Sequence, residues 1–303
     1  MILIIGSTGL LGLTVTQQLL ASGHKVRAVV RTQEKAAELK HLGAEIVIGD
    51  LIDKPSIMRA CQGIDQIFTA VHSLVGAGKY KSEYVDDLGH RTLIDAAKAM
   101  GISHFVYTSI LGASPNHPVD FWRTKYNIEE YLKTSGLSYT ILRPSAYMEL
   151  HAHIFNGKSI LESGKTSLLG KGTKPRNFIA VRDVAQFVIL ALTDPNLKNR
   201  TIEIGGLHNF TNNQVSELYG KFANISPKIN HMPPFVAKGL SVILKPFQPG
   251  ISRIMYMGSL SDDAFSETFD PTKLLIAFPM QLTTLEEFIH ERIIEKKNNS
   301  SLV

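Results

Sequence analysis

One cysteine and one tryptophan occur in 303 residues. The lone Cys61 excludes an internal disulfide framework and a cysteine-ligated metal site, and it suits a reducing compartment. No apolar run approaches the ~18 uninterrupted residues that mark a membrane-spanning helix. A strand signal beginning at residue 2 leaves no room for the charged and apolar regions of a secretory leader, so the expected location is cytoplasmic, with no membrane partner. The 11 histidines are dispersed. His151 and His153 stand two apart, which is no helical ligand spacing, and no metal is expected. Charge of one sign is not in large excess either: 32 Lys and Arg against 27 Asp and Glu leave a formal charge of +5. Read along the chain, these cations are spread rather than clustered with interleaved aromatics, so nucleic acid is not the expected partner. A mildly positive field does help a protein that binds a polyanionic ligand.

What is present is an ordinary globular composition, 44% hydrophobic and 19% charged, organised around the first 31 residues. Met1 to Ile5 is a short apolar run that stops at Gly6-Ser7-Thr8-Gly9-Leu10-Leu11-Gly12, and Leu13 to Ala21 then reads as helix. In a strand, glycine turn and helix of this kind, Gly6 turns the chain off the strand. Gly9 clears space for a pyrophosphate, and Gly12 lets helix pack closely on strand. Phosphates then sit on the helix N-terminus. Ser22-Gly23 ends the helix, and Lys25 to Val30 returns as a second buried strand closing on Arg31. An acid at the end of that strand holds a ribose 2′-hydroxyl; here Arg31 and Thr32 stand there, with Lys35 a turn later, and arginine suits a 2′-phosphate. The expected cofactor is therefore NADP(H), with NAD(H) as the alternative.

Strand and helix signals continue to alternate. Helices are expected over Glu34 to Leu42, Lys54 to Cys61, from the end of the Ser73 to Asp86 loop to Met100, and over Asn127 to Thr134. Strands are expected over Ala44 to Ile48, Gln66 to Val71, Phe105 to Ser109 and Ser138 to Leu142. This rhythm predicts an α/β fold with a doubly wound parallel sheet and ligands at the carboxyl ends of its strands. Beyond Pro144 the rhythm fails. His151 to Gly172 is glycine-rich and polar. Phe178 to Val181 and Ile202 to Ile204 read as strands, Ala185 to Thr193 and Phe235 to Leu244 as helices, and Thr211 to Ala223 as a helix capped by Thr211. The expected division is a dinucleotide-binding domain over 1–150 and a smaller, not independently folded substrate lobe over 151–303. A solvated tail is expected over Glu295 to Ser301.

With these pieces placed, the chain resembles the NmrA-like branch of the atypical short-chain dehydrogenases/reductases, from residue 1 to about 195. The resemblance is carried by Gly6 through Gly12, by Tyr107-Thr108-Ser109 and by Lys125 through Glu129 to Tyr139-Thr140-Ile141-Leu142-Arg143-Pro144-Ser145-Ala146-Tyr147-Met148-Glu149. It implies an NADP-preferring Rossmann domain with a small substrate lobe. Carried over position by position, Gly6, Gly9 and Gly12 are the phosphate turn, lined by Ser7, Thr8 and Leu11. Arg31 is the 2′-phosphate position, and Asp50 with Leu51 is the adenine wall. Thr69, Ala70 and Val71 flank the adenosine ribose and pyrophosphate, Lys125 the nicotinamide ribose, and Pro144 joins the cofactor-binding set. Ser109 stands where the superfamily keeps its catalytic hydroxyl.

The sequence departs from the superfamily at one position. Orthodox members use Tyr-x-x-x-Lys, whose lysine lowers the tyrosine pKa for proton transfer; four residues before Lys125 stands Phe121. Tyr80, Tyr84, Tyr126, Tyr147 and His117 are candidate substitutes, for each of which a packing or surface role is the more ordinary reading. Three functions stay open: an NADPH-dependent reductase of a small quinone, enone or carbonyl compound; an NADP(H)-sensing regulator acting through a protein partner; and an assembly or chaperone-like accessory protein that keeps the nucleotide structurally. The reductase leads, with Lys125 and Ser109 as its catalytic residues.

Overall fold

The computed structural model describes residues 1–260 and 267–300. Its chain opens with β1 (Ile2–Ile5), α1 (Leu10–Ala21), β2 (Val26–Val30), α2 (Ala37–His41), β3 (Glu45–Ile48), α3 (Lys54–Ala60) and β4 (Gln66–Thr69). There follow α4 (His90–Ala99), β5 (His104–Thr108), α5 (Asp120–Thr134) and β6 (Tyr139–Pro144). Next come β7 (Ala146–Tyr147), α6 (Lys158–Ser163), β8 (Lys165–Leu169), β9 (Arg176–Ile179), α7 (Val181–Thr193), β10 (Arg200–Ile204) and β11 (Asn209–Phe210). The remainder is α8 (Asn212–Ala223), β12 (Lys228–Met232), α9 (Pro234–Leu244), α10 (Pro249–Ser259), α11 (Thr272–Ala277) and α12 (Leu285–Ser300).

Two compact units result. The first joins Met1–Arg143 to Val184–Glu203; the second joins Pro144–Asp183 to the chain from Ile204 onward. The boundary therefore falls seven residues before the expected one at 150, and the chain returns to the first unit for twenty residues.

The first unit is a seven-stranded sheet in the order β10-β6-β5-β4-β1-β2-β3, and every pairing from β6 across to β3 is parallel. All four residues of β1 are buried, as befits a strand covered on both faces. Leu3 and Ile5 pack with Ile57, Leu93, Ile94, Ile128 and Leu132 on one face; Ala28 and Val30 pack with Leu39, Leu13 and Leu20 on the other. This is a Rossmann fold, and the sheet reverses direction of winding between β1 and β4, where ligands bind in such folds.

Two elements differ from the sequence reading in ways that matter. Helix α5 begins at Asp120 rather than Asn127, because Val119 is extended, Asp120 places its carboxylate in the first turn, and Trp122 Nε1 donates to the Leu111 carbonyl at 3.0 Å. Strand β6 runs on through Arg143 to Pro144, whose missing N–H is tolerated at a strand end.

In the second unit β9 lies between β7 and β11, β8 pairs with β12, and Met148, Ile160, Phe178, Tyr219, Phe288 and Ile289 form the core. The glycine-rich stretch after residue 150 is more regular than its composition predicts: Met148–Gly157 winds as a π-helix into α6, which ends on left-handed Gly164. Thr211 caps α8 as expected, in a reciprocal pair with Gln214. The tail is helical through Ser300, and Ser301 lies outside the described residues.

Candidate dinucleotide site in the first unit

Gly6 leaves β1 with φ of +90°, the left-handed region glycine favours. A Cβ on Gly12 would stand 2.0 Å from the Gly6 carbonyl oxygen, so helix and strand meet with nothing between them. Gly9 is different. Its φ and ψ of −84° and 165° suit any residue, and a Cβ there would meet nothing closer than the Gly6 oxygen at 3.4 Å. Neither conformation nor internal packing requires glycine at residue 9. The space it leaves lies at the start of α1, whose N-terminus has no side-chain cap and no acid in its first turn. Unpaired backbone N–H groups and the positive end of a helix dipole there suit a phosphate.

Around this turn the predicted residues divide. Thr8 is exposed and Leu11 buried, so Leu11 offers the turn its backbone N–H. Ser7 is fully buried and spends its hydroxyl on the Val29 carbonyl at 2.9 Å, fixing the turn to β2 rather than facing outward. Arg31 is exposed at the end of β2 and lies over the Tyr80 ring, 5.0 Å from its centroid. Tyr80 in turn donates to Asp50 Oδ2 at 3.0 Å, while Asp50 Oδ1 accepts from the Ile52 N–H at 3.3 Å. Arg31, Tyr80 and Asp50 thus form one cluster. Its bridging member was singled out in sequence only as a proton-donor candidate, since thirty residues separate it from Asp50. Leu51 belongs to the core. Thr69 is buried, 3.4 Å from His90 Nε2, and Ala70 donates its N–H to the Ile5 carbonyl.

Lys125 is 4% exposed. Its Nζ donates to the Thr108 carbonyl at 3.3 Å and the Val71 carbonyl at 3.5 Å, and lies 4.9 Å from the centroid of Tyr107 and 5.6 Å from that of Phe121. Because Val71 packs against Gly6, the lysine and the glycine turn share one neighbour. Burial lowers the Lys125 pKa, opposed by the charges of Asp86 and Glu129. Asp86 is itself fully buried, accepting from the Ser73 N–H and from Ser82 Oγ. Burial, helped by Lys125, pushes His90 down to about 3, so its ring is neutral at physiological pH. Tyr107 is fully buried and its hydroxyl has no hydrogen-bond partner among the described residues; burial raises its pKa.

Two of the candidate residues are held by contacts within the fold. Ser109 Oγ donates to Glu129, which is fully buried and clasped by Arg143 at 2.6 and 2.9 Å, so the hydroxyl is engaged within the fold rather than offered to a substrate carbonyl. His117 stacks on Trp122 at 4.8 Å and accepts the Val119 N–H at the head of α5, a structural role. Tyr147 and Pro144 belong to the second unit, Pro144 being the last residue of β6. Among the described residues no group of three or more His, Cys, Asp or Glu could hold a metal, and no helix is long and apolar enough to cross a membrane.

The Rossmann topology and the glycine turn agree with a family model that matches residues 1–289. The chain belongs to the NmrA-like family. It is 29% identical over 303 residues to the photosystem II assembly factor Ycf39 of Trieres chinensis, covering 97% of this chain and 92% of that protein. It is also 29% identical over 207 residues to the NAD(P)H azoreductase of Xenophilus azovorans, covering 68% of each. Among solved structures it resembles the NADPH-dependent quinone oxidoreductase QOR2 of Escherichia coli in complex with NADPH. The TM-score is 0.78 at 23% identity over 96% of this chain and 99% of that one, a likeness of fold.

Proposed function

We propose that this NmrA-like protein binds NADP(H) through the β1–α1 turn and acts as an NADPH-dependent reductase of a small quinone, enone or carbonyl compound, most naturally a quinone. The observation that carries the binding is Gly9, a glycine whose only use is the space outside it. Arg31 would take the 2′-phosphate and Tyr80 would keep its guanidinium in place. Lys125, held at the ends of β4 and β5, would donate to the nicotinamide ribose. When bound, the dinucleotide supplies a hydride. The chain's own contribution is orientation, because Phe121 has no proton to give and the Ser109 hydroxyl is committed to Glu129. A quinone tolerates that lack: hydride addition leaves a hydroquinone anion that takes its proton from water.

The same two observations favour a second reading, a non-catalytic NADP(H)-binding protein in regulation or assembly, and the likeness to an assembly factor supports it. Steady NADPH oxidation with a panel of quinones and enones separates the two. Turnover with any of them supports the reductase. Tight NADPH binding without turnover across the panel leaves the regulatory or assembly reading.

A further inference from the structure

Helices α9 and α10 of the second unit pack on one another through small residues. Ala237 and Ser241 of α9 are 0 and 5% exposed, Gly250 and Ser252 of α10 are buried, and Ser252 Oγ donates to the Ser241 carbonyl at 2.6 Å. With the short side chains spent on that contact, the large ones point away from it. Phe235, Val242 and Ile243 are 76, 69 and 65% exposed, and Phe247, just past the helix, is 79% exposed. One or two turns apart on the helix, the first three share its outer face with Gly239, where an added Cβ would meet nothing. Single exposed apolar residues are ordinary; four large ones within thirteen positions mark a contact surface.

Charge is segregated in the same region. Between Glu217 and Asp262 the sequence holds Lys221, Lys228, Lys238, Lys245 and Arg253 and no acid, a local charge equal to the +5 of the whole chain. The cations are spread along the chain; it is the acids that are unevenly placed. Lys238 on α9 and Lys245, the residue that follows its last turn, are seven positions apart, about two turns, and border one edge of the apolar face.

We propose that the outer face of α9, with Phe247, docks on the surface of an anionic lipid bilayer. Eleven residues are too few to span a membrane, and the layout is that of a helix lying in the interface, with apolar side chains inserted and lysine stems reaching the headgroups. A second copy of the chain fits poorly, since a self-complementary pairing would set these cations against each other. The expectation of no membrane partner rested on the absence of a spanning run, which does not bear on surface association. The proposal is independent of the cofactor reading.

The test is co-sedimentation of the whole protein with vesicles of phosphatidylcholine alone and with about 30% phosphatidylglycerol added. Expected is partitioning at least about tenfold stronger on the anionic vesicles, weakened by high salt. Phe235→Ser with Phe247→Ser, and separately Lys238→Glu with Lys245→Glu, should each lower it about tenfold or more with circular dichroism and thermal midpoint unchanged. These side chains support no core, so the variants should fold. Wild-type protein that stays in the supernatant, or that sediments equally with both vesicles or equally in all variants, overturns the proposal. If the wild type is instead a dimer that Phe235→Ser with Phe247→Ser dissociates, the face joins two copies. If it is a monomer that ignores lipid, the face belongs to a protein partner. Either result replaces the lipid surface.

Discussion

Gly9 and Gly12 stand three residues apart in one turn and are glycine for different reasons. A side chain on Gly12 would collide with the Gly6 backbone, whereas one on Gly9 would project into space the protein does not fill. Gly9→Val should therefore lower NADP(H) affinity beyond calorimetric detection while leaving the thermal midpoint within a few degrees of wild type. Gly12→Val should prevent folding. Retained cofactor binding in Gly9→Val would make the glycine turn merely structural. Arg31 offers a similar single-residue test. One charge-assisted hydrogen bond to a 2′-phosphate is worth about 1.5–3 kcal/mol, so NADPH should bind about ten- to a hundredfold more tightly than NADH. Arg31→Glu should erase that preference with NADH affinity largely kept; equal affinities in the parent would refute the assignment. His90 carries a pH signature. Its folded pKa of about 3 lies below the ordinary histidine value of 6.5, so the unfolded chain takes up the proton first as pH falls. Its share of stability is complete above about 6.5 and declines as pH drops from there toward about 3. Urea midpoints across that window should fall more steeply for the wild type than for His90→Gln; parallel curves would show that the ring protonates in place.

At the scale of elements, α5 explains why the site was only half legible. Phe121, Lys125 and Glu129 are spaced by one helical turn each, a stripe that meets the end of β5 at Tyr107, Thr108 and Ser109. The lysine was found from its motif. The start of the helix was not, because Asn116-His117-Pro118-Val119 reads as loop, and what launches α5 is tertiary: the His117–Trp122 stack and the bond from Trp122 to Leu111. Nor could local pattern pair Ser109 with Glu129, twenty residues on, or bring Tyr80 between Arg31 and Asp50. Strands β1 to β6, by contrast, are legible to within two residues at each end, since a buried parallel strand leaves a continuous apolar run, whereas β7, β8, β11 and β12 carry no such run. The stripe supports two expectations. Lys125→Ala should weaken NADP(H) binding and any turnover together, while Phe121→Tyr need not raise turnover; an unchanged Lys125→Ala would remove the lysine from the site. Glu129→Ala should cost about 3 kcal/mol in urea unfolding, at the low end for losing one partner of a buried pair because Arg143 keeps Glu203.

At the scale of the whole molecule, the chain leaves the first unit at Pro144 and returns for Val184–Glu203, contributing β10 beside β6. Nothing in Arg200–Ile204, a short and mostly exposed or half-buried strand, announces that placement. A sheet edge is filled by long-range topology, and the only local signal of the departure is the loss of strand–helix rhythm beyond Pro144. The division has a measurable consequence. Every cofactor residue proposed above except Pro144 lies in the first unit, and so does Trp122, the one tryptophan of the chain. Tryptophan fluorescence therefore follows the unfolding of the unit that holds the dinucleotide, whether or not the two units unfold together. NADP⁺ at about a hundred times its dissociation constant should stabilise that unit by about 2.7 kcal/mol. For a unit of this size that raises the fluorescence midpoint by about 5–10 °C. The same addition should leave Gly9→Val unmoved. A midpoint that does not shift in the parent at saturating NADP⁺ would place the dinucleotide outside the β1–α1 turn and remove the basis for the reductase and regulatory readings alike.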